Sequence, residues 1–250
     1  MLAFWLGQND SLSRVSAAEV VRGAQETHAG LVERCYTVVV QRDDPNLPEY
    51  SPRDVRVWTQ GDRFWVEMNR LNGRWAWGRE AQGSVWLALG PRRAVRIEAE
   101  EMGDTLRAIC DLYSLELETL LSDALRHCRL EWTESDALTH VIIARPRGWV
   151  RGGLQQAVLE VDKETKAIRR LVIERRFPQR GASTVTFTLV EARTPDESKY
   201  QAEGHLTAPF RVFTRDSNPE RRSEALATWF GGPVDRWIQA ANASAPSDRQ

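Results

Sequence analysis

The chain has 250 residues, of which 42% are hydrophobic and 28% are charged, and its formal net charge is −1. This balance is that of a globular protein and excludes an intrinsically disordered one. The near-zero net charge excludes a global electrostatic field that would recruit nucleic acid or anionic membrane.

The N-terminus reads MLAFWLGQ, which is apolar over about six residues, whereas a bilayer span needs about 20. No basic region precedes this stretch, so it is not a complete secretory signal. We therefore expect residues 1–15 to form an N-terminal arm or the remnant of an anchor.

The first predicted element is a helix that follows Ser16. Val20, Val21 and Ala24 recur at helical spacing. Ser16 and Glu19 have the spacing of a capping box, in which each side chain satisfies a backbone N–H of the other residue. The sequence thus predicts a helix that begins at this point.

A long β region follows the helix. Residues 33–42 are apolar on both faces, which predicts a strand covered on both sides. After a proline-rich loop at 43–53, closely spaced turns separate five shorter predicted strands: 54–60, 63–70, 74–80, 83–89 and 92–98.

The short strands carry two apolar faces. The alternation places Val57, Phe64 and Val66 on one face, and it places Trp58, Trp65 and Trp86 on the opposite face. Both faces then need a cover. The block 102–128, with leucines at helical spacing, is the predicted helical cover of the second face.

The second half of the chain continues the β pattern. Residues 129–133 and 138–145 are predicted strands, and 156–192 predict an antiparallel meander. Beyond it we expect a C-terminal extension at 194–250, irregular up to 218, with a helix at 219–230 that Asn218 caps. No linker separates two domains, so 16–193 is predicted to be one domain.

No recognised catalytic or cofactor motif occurs. The histidines at 28, 127, 140 and 205 are far apart in the sequence, and there is no HExxH, GxSxG, P-loop or GxGxxG. Arginine pairs have acidic neighbours, so we expect no nucleic-acid partner. The three cysteines, Cys35, Cys110 and Cys128, include no CxxC and are expected to be buried thiols, with a Cys110–Cys128 disulfide as the alternative.

A family resemblance rests on three segments. The hairpin from Asp162 to Leu171 reads D-x-x-T-x-x-x-x-R-L, the strand after it ends at the acidic Glu191, and the early strand pair contains GDRFWVE at 61–67. These segments, in this order, resemble the LolA-like family, which includes periplasmic lipoprotein carriers and the RseB-like sensor domains of envelope-stress regulators. The resemblance covers roughly residues 16–192.

The resemblance implies a mainly β protein of the α+β class: a curved antiparallel sheet or incomplete β-barrel covered by helices. It also implies a periplasmic or cell-envelope location, no catalytic residues, no cofactor, and a cavity that holds acyl chains. The carriers latch their helical lid with an arginine on an early strand. Arg56 and Arg63 lie on early strands here, but no motif matches either to that role.

Two functions are therefore expected, and they belong to different classes. The first is a non-enzymatic protein that binds a lipid, a lipoprotein acyl chain or another apolar ligand in a cleft. The second is a sensor or interaction domain with a filled core, whose sheet edge or 43–53 loop contacts an envelope protein. A hydrolase would need a convergent polar site that no motif supplies. The expected lining of the cleft is Trp58, Phe64, Trp65, Trp86, Leu117, Leu120 and Leu121.

Overall fold

The computed structural model describes residues 15–42, 55–70, 73–80, 83–88, 90–101, 116–133, 136–148, 153–177 and 181–230. Residues 1–14 of the N-terminal arm, the 43–53 loop, and positions 102–115 of the predicted helical cover, which include Cys110, lie outside the described residues. The described strands are β1 Glu33–Arg42, β2 Val55–Gln60, β3 Arg63–Arg70, β4 Gly73–Arg79, β5 Val85–Ala88, β6 Arg93–Ile97, β7 Cys128–Trp132, β8 Thr139–Pro146, β9 Leu154–Asp162, β10 Ile168–Phe177, β11 Gly181–Arg193 and β12 Arg211–Phe213.

Three α-helices lie within the described part of the chain: α1 Ala17–His28, α2 Leu117–His127 and α3 Pro219–Phe230. Three short 3-10 helices accompany them: η1 Ala99–Glu101, η2 Glu197–Tyr200 and η3 Ala202–His205.

The strands form a single open, curved sheet of 12 strands in the order β12-β6-β5-β4-β3-β2-β1-β11-β10-β9-β8-β7. Strand β1 joins two antiparallel meanders, β2 to β6 on one side and β7 to β11 on the other. Only the β12–β6 pair is parallel among the described pairings. This architecture confirms the predicted mainly β class and the curved antiparallel sheet.

The sheet buries apolar side chains on both faces. We call the face that packs against α1 and α2 the inner face; Tyr36, Phe64 and Trp77 belong to its core. The opposite, outer face carries a smaller apolar cluster, which we call the tryptophan cluster: Cys35, Trp58, Trp65, Ala76, Trp86, Ala88, Ala94, Tyr200 and Ala202.

Helix α1 begins with the predicted capping box. The Glu19 N–H donates to Ser16 Oγ at 3.2 Å, and the Ser16 N–H donates to Glu19 Oε2 at 2.6 Å. At the other end of the helix, buried His28 accepts the Ile168 N–H through Nε2 at 3.1 Å. This hydrogen bond attaches the first helix to the start of β10, which is far away along the chain.

The Asp162 hairpin owes its shape to one carboxylate. Asp162 Oδ1 accepts hydrogen bonds from the N–H groups of Glu164 and Thr165 at 3.0 and 2.7 Å, and from Thr165 Oγ1 at 3.0 Å. Lys166 closes the turn with a φ of 59°. The Asp-x-x-Thr spacing is therefore a side-chain-capped turn, in place of the Asn-Gly turn that the tightest hairpins use.

The C-terminal extension is more ordered than the sequence predicted. Residues 194–218 contain η2, η3 and the edge strand β12, although no apolar periodicity marks them. Asn218 caps α3 as expected, since its Oδ1 accepts the Arg221 N–H at 3.1 Å. Segments this short form because they pack on the sheet, and their own propensity carries little signal.

The prediction that block 102–128 covers the tryptophan face is wrong for the part of that block that the structure describes. The tryptophans of the cluster pack against Tyr200 and Ala202 of the extension, whereas α2 packs on the inner face through Leu117 and Leu121. The alternation of the strands showed that both faces of the sheet need a cover. Which segment covers which face depends on tertiary contacts between residues far apart in the chain.

Candidate functional site

The structure divides the seven expected lining residues between the two faces of the sheet. Phe64, Leu117 and Leu121 belong to the inner core, and Leu120 packs at its margin. Trp58, Trp65 and Trp86 belong to the tryptophan cluster. The seven residues therefore do not line one cleft, because successive side chains of a strand point to opposite faces of the sheet.

Polar contacts from the sheet hold the N-terminal end of α2. Asp62, in the β2–β3 turn, accepts the Thr119 N–H at 3.0 Å and the Thr119 hydroxyl at 2.9 Å. Arg79, at the end of β4, forms an ion pair with Glu116, the residue that precedes the helix. The guanidinium of Arg79 also lies 5.7 Å from the centre of the Phe64 ring.

Arg79 thus links the sheet to the residue that precedes α2, and we call this ion pair the latch. Arg63 instead pairs with Glu197 of the extension at 2.7 Å and stacks over Tyr200 at 4.5 Å. Sequence reasoning considered Arg56 and Arg63 and missed Arg79. The only sequence signal for Arg79 is its position, since it ends strand β4 and pairs with Phe64 on the preceding strand β3.

A margin of partly buried leucines surrounds the packed inner core. The core itself is closed at Leu117, Leu121 and Phe64, which are 0–1% exposed. The margin includes residues from α2 and from strands β7, β9 and β11: Leu120, Leu125, Leu130, Leu154 and Leu189. These side chains pack on the core without being fully enclosed. Leu120 and Leu125 of α2, with Leu130 of the adjacent β7, therefore leave apolar surface beside the helix.

The tryptophan cluster is closed by stacked rings. The Trp58 and Trp65 rings are parallel within 10°, with centres 5.3 Å apart. His205 of η3 stacks on Trp86 at 4.6 Å and tilts over Trp65 at 4.9 Å. Trp86 Nε1 donates to the Tyr200 carbonyl at 3.1 Å. The extension therefore fills the space above the three tryptophans.

A buried carboxylate lies beneath these rings. Glu33 is 0% exposed; it accepts Trp65 Nε1–H at 3.2 Å and Arg193 Nε–H at 2.7 Å. The Arg193 guanidinium lies 3.8 Å from the centre of the Trp58 ring. A buried carboxylate with this arrangement is satisfied by its neighbours, so it holds the cluster together.

Burial favours the neutral forms of two histidines and two cysteine thiols. Burial lowers the pKa of His28 to about 3, and the Arg34 charge adds to the effect. Burial also lowers the pKa of His205 to about 4. Burial raises the pKa of the Cys35 thiol to about 12 and raises that of the Cys128 thiol. Both thiols are free, and a raised pKa disfavours the reactive thiolate.

Within the described ranges, no group of three or more His, Cys, Asp or Glu side chains could hold a metal ion. No helix among the described residues combines the length and apolar composition that a membrane span requires.

The first prediction concerns the latch. Arg79→Met is expected to speed amide hydrogen exchange in residues 117–127 about three- to tenfold, because it removes the ion pair to Glu116 but leaves the Asp62 cap. Both partners are about one-fifth exposed, so the expected loss is only about 1 kcal/mol. Hydrogen exchange read by mass spectrometry measures it.

The matched control for the latch is Arg74→Met. Arg74 pairs with Glu67 on the neighbouring strand and does not belong to the α2 attachment. Equal exchange in α2 for the two variants would contradict a latch at Arg79.

No protein-family model matches this chain, and a search of curated protein sequences finds no match. A search of solved structures finds matches at low sequence identity. The complex of MucA and MucB from Pseudomonas aeruginosa matches at 12% identity and a TM-score of 0.37, over 76% of this chain and 62% of that one. The chain thus spans less than two-thirds of that structure.

Two further structures match over nearly their full length. The lipoprotein LppX from Mycobacterium tuberculosis matches at 11% identity and a TM-score of 0.44, over 72% of this chain and 96% of that one. A LolA superfamily protein from Nitrosomonas europaea matches at 11% identity and a TM-score of 0.34, over 73% and 94%. The curved antiparallel sheet with helices against its inner face agrees with the architecture that the sequence resemblance implied.

Proposed function

We propose that this chain is a non-enzymatic cell-envelope protein that binds an apolar ligand, such as the acyl chain of a lipid or lipoprotein, between the inner face of the sheet and α2. The observation that carries the proposal is the margin of partly buried leucines beside a helix whose N-terminal end is held by polar contacts. Phe64, Leu117, Leu120 and Leu121 are the proposed lining.

The energetics favour a long apolar chain as the ligand. Each buried methylene contributes about 0.8 kcal/mol, so an acyl chain of ten carbons gains about 8 kcal/mol before the cost of ordering it. Leu117 and Leu121 are already buried, so a ligand would have to displace α2 from the sheet. It would enter at the partly exposed margin and proceed towards the core. The Asp62 hydrogen bonds and the latch would keep the N-terminal end of α2 in place while the rest of the helix moves.

Native mass spectrometry of the purified protein, with organic extraction and lipid analysis, tests the proposal. We expect a co-purifying lipid that is released on denaturation. Leu120→Gln, on the inner margin, is expected to reduce bound lipid at least fivefold, because it places an amide where the methylenes would lie.

The control is Leu206→Gln, at a partly buried position against the tryptophan cluster. It should leave lipid binding unchanged. A lipid that survives Leu120→Gln but is lost with Leu206→Gln would contradict binding at the inner face.

A second candidate function is an interaction domain with a filled core. The complete burial of Phe64, Leu117 and Leu121 favours it, since no space is left among those three side chains. MucB, one of the similar structures, was solved in complex with a partner protein, MucA. A clean apo mass, with no gain on addition of phospholipid or lipopeptide, would favour this function over the carrier. We propose a cell-envelope location for either function and no nucleic-acid partner.

A further inference from the structure

A cavity of about 400 Å³ lies at the β12 edge of the sheet, next to the start of α3. We call it the arginine pocket. It is remote in sequence from the proposed acyl-chain site and is built largely by the C-terminal extension. Its lining residues are Arg92, Arg93, Pro209, Phe210, Arg211, Phe213, Arg221 and Glu224.

The pocket concentrates positive charge in a nearly neutral protein. Four arginines and one glutamate line it, which gives a local formal charge of +3 (four minus one), whereas the whole chain carries −1. A concave surface of one charge sign raises the local concentration of ions of the opposite sign.

The four arginines are exposed, and within the described part of the chain no ion pair joins any of them to a carboxylate. Other arginines close by are paired. Arg96 contacts Glu80 at 3.0 Å, and Arg222 contacts Glu101 at 2.8 Å. Arg96 and Arg222 are therefore paired, whereas the four arginines that line the pocket are available.

The placement of these arginines works against stability. Arg93 and Arg211 are register partners on the neighbouring strands β6 and β12, where like charges repel. Arg221 lies in the first turn of α3, where the helix dipole disfavours positive charge. An anion bound between these guanidinium groups would offset the repulsion of Arg93 and Arg211 and the unfavourable position of Arg221.

One wall of the pocket is apolar. Phe210 is 44% exposed, although it is a large aromatic side chain, and Pro209 precedes it. Phe213 lies below them and is only 7% exposed. A ligand that carries an apolar group next to its anionic group would cover Phe210 while its charge faces the arginines.

We propose that the arginine pocket binds a phosphate ester, with the phosphate against the guanidinium groups and the apolar substituent against Phe210. Guanidinium groups bind phosphate oxygens with paired, charge-assisted hydrogen bonds. A phosphate monoester carries close to two negative charges, so it matches a pocket of +3 better than a single carboxylate does. The ester could be a free metabolite or the head group of a lipid.

Two probes distinguish these sources in titrations of the full chain. 2-Naphthyl phosphate is a soluble aromatic monoester, and it is compared with 2-naphthol and with inorganic phosphate by calorimetry. Vesicles that contain phosphatidic acid are compared with vesicles of phosphatidylcholine alone by co-sedimentation.

The test variant is Arg93→Gln with Arg211→Gln. Its matched control is Arg129→Gln with Arg145→Gln, a register pair on β7 and β8 at the opposite edge of the sheet. Both variants remove two positive charges from neighbouring strands. We expect the pocket variant to weaken binding of at least one phosphate probe tenfold or more, and the control variant to change it less than twofold.

Each outcome decides the proposal. Loss of naphthyl phosphate binding in the pocket variant supports a free ester, and loss of phosphatidic acid binding alone supports a lipid head group. Phe210→Ala should weaken naphthyl phosphate more than inorganic phosphate. Equal loss in the two double variants, or no binding of either probe by the unmodified protein, would overturn the proposal and leave the acyl-chain site unaffected.

Discussion

Trp65→Ala is expected to lower the free energy of unfolding by about 3 to 5 kcal/mol, the range for removal of a large buried aromatic side chain. Trp65 is 3% exposed, its ring stacks on Trp58, and its Nε1–H donates to the buried Glu33. The variant leaves a cavity beneath η3 and removes one hydrogen bond from a carboxylate that has no access to water.

The conservative variant Trp65→Phe separates these contributions. It keeps an aromatic ring against Trp58 and loses the N–H, so we expect a loss of about 1 to 3 kcal/mol. Urea unfolding followed by circular dichroism measures both. Under conditions where each variant is folded, lipid binding should be unchanged, because Trp65 lies on the outer face. Unaltered stability with loss of a bound lipid would show that Trp65 contacts the ligand.

Acidification from pH 6.5 to pH 4.5 is expected to remove about 3 to 5 kcal/mol of stability through two histidines. Burial lowers the pKa of His28 to about 3 and that of His205 to about 4. The unfolded chain therefore binds a proton on each histidine near pH 6.5, before the folded chain does. The contribution is fully present above pH 6.5 and is lost as the pH falls towards the folded-state pKa values, by about 1.4 kcal/mol per unit for each group.

The two histidines act on different attachments, so both should be replaced. His28 accepts the Ile168 N–H and ties α1 to β10, and the His205 ring covers Trp86 and Trp65. In His28→Gln with His205→Gln, the free energy of unfolding between pH 6.5 and 4.5 should depend less on pH by about 3 kcal/mol or more. The test is the slope of the free energy of unfolding against pH, which does not depend on the absolute stability of the variant. An unchanged slope would mean that other groups cause the acid sensitivity.

The local patterns of the sequence were sufficient to predict individual helices and strands. A capping box at Ser16, alternation in 33–42 and 156–192, and Asn218 before Pro219 each correspond to the observed helix or strand. These features depend on neighbours within a few residues, where backbone hydrogen bonding and side-chain periodicity determine the conformation. The Asp-x-x-Thr hairpin, which carried the family resemblance, belongs to the same class of local signal.

The strand period also showed that Trp58 and Trp65 face away from Phe64. It could not show which segment covers which face, because a cover is chosen by contacts between residues far apart in the chain. The Arg79–Glu116 ion pair and the packing of His205 on Trp86 are contacts of this kind.

By itself, the sequence of this protein determined a mainly β chain with two apolar faces, a capped first helix and no recognised catalytic motif. Only the tertiary structure decided that the extension covers the tryptophans, that α2 is attached through Asp62 and Arg79, and that four arginines converge at the β12 edge. The physical reason is that the local sequence of β12 and α3 contains almost no pattern that indicates a function. Arg211 and Arg221 join Arg92 and Arg93 in a charged pocket only when β12 pairs with β6.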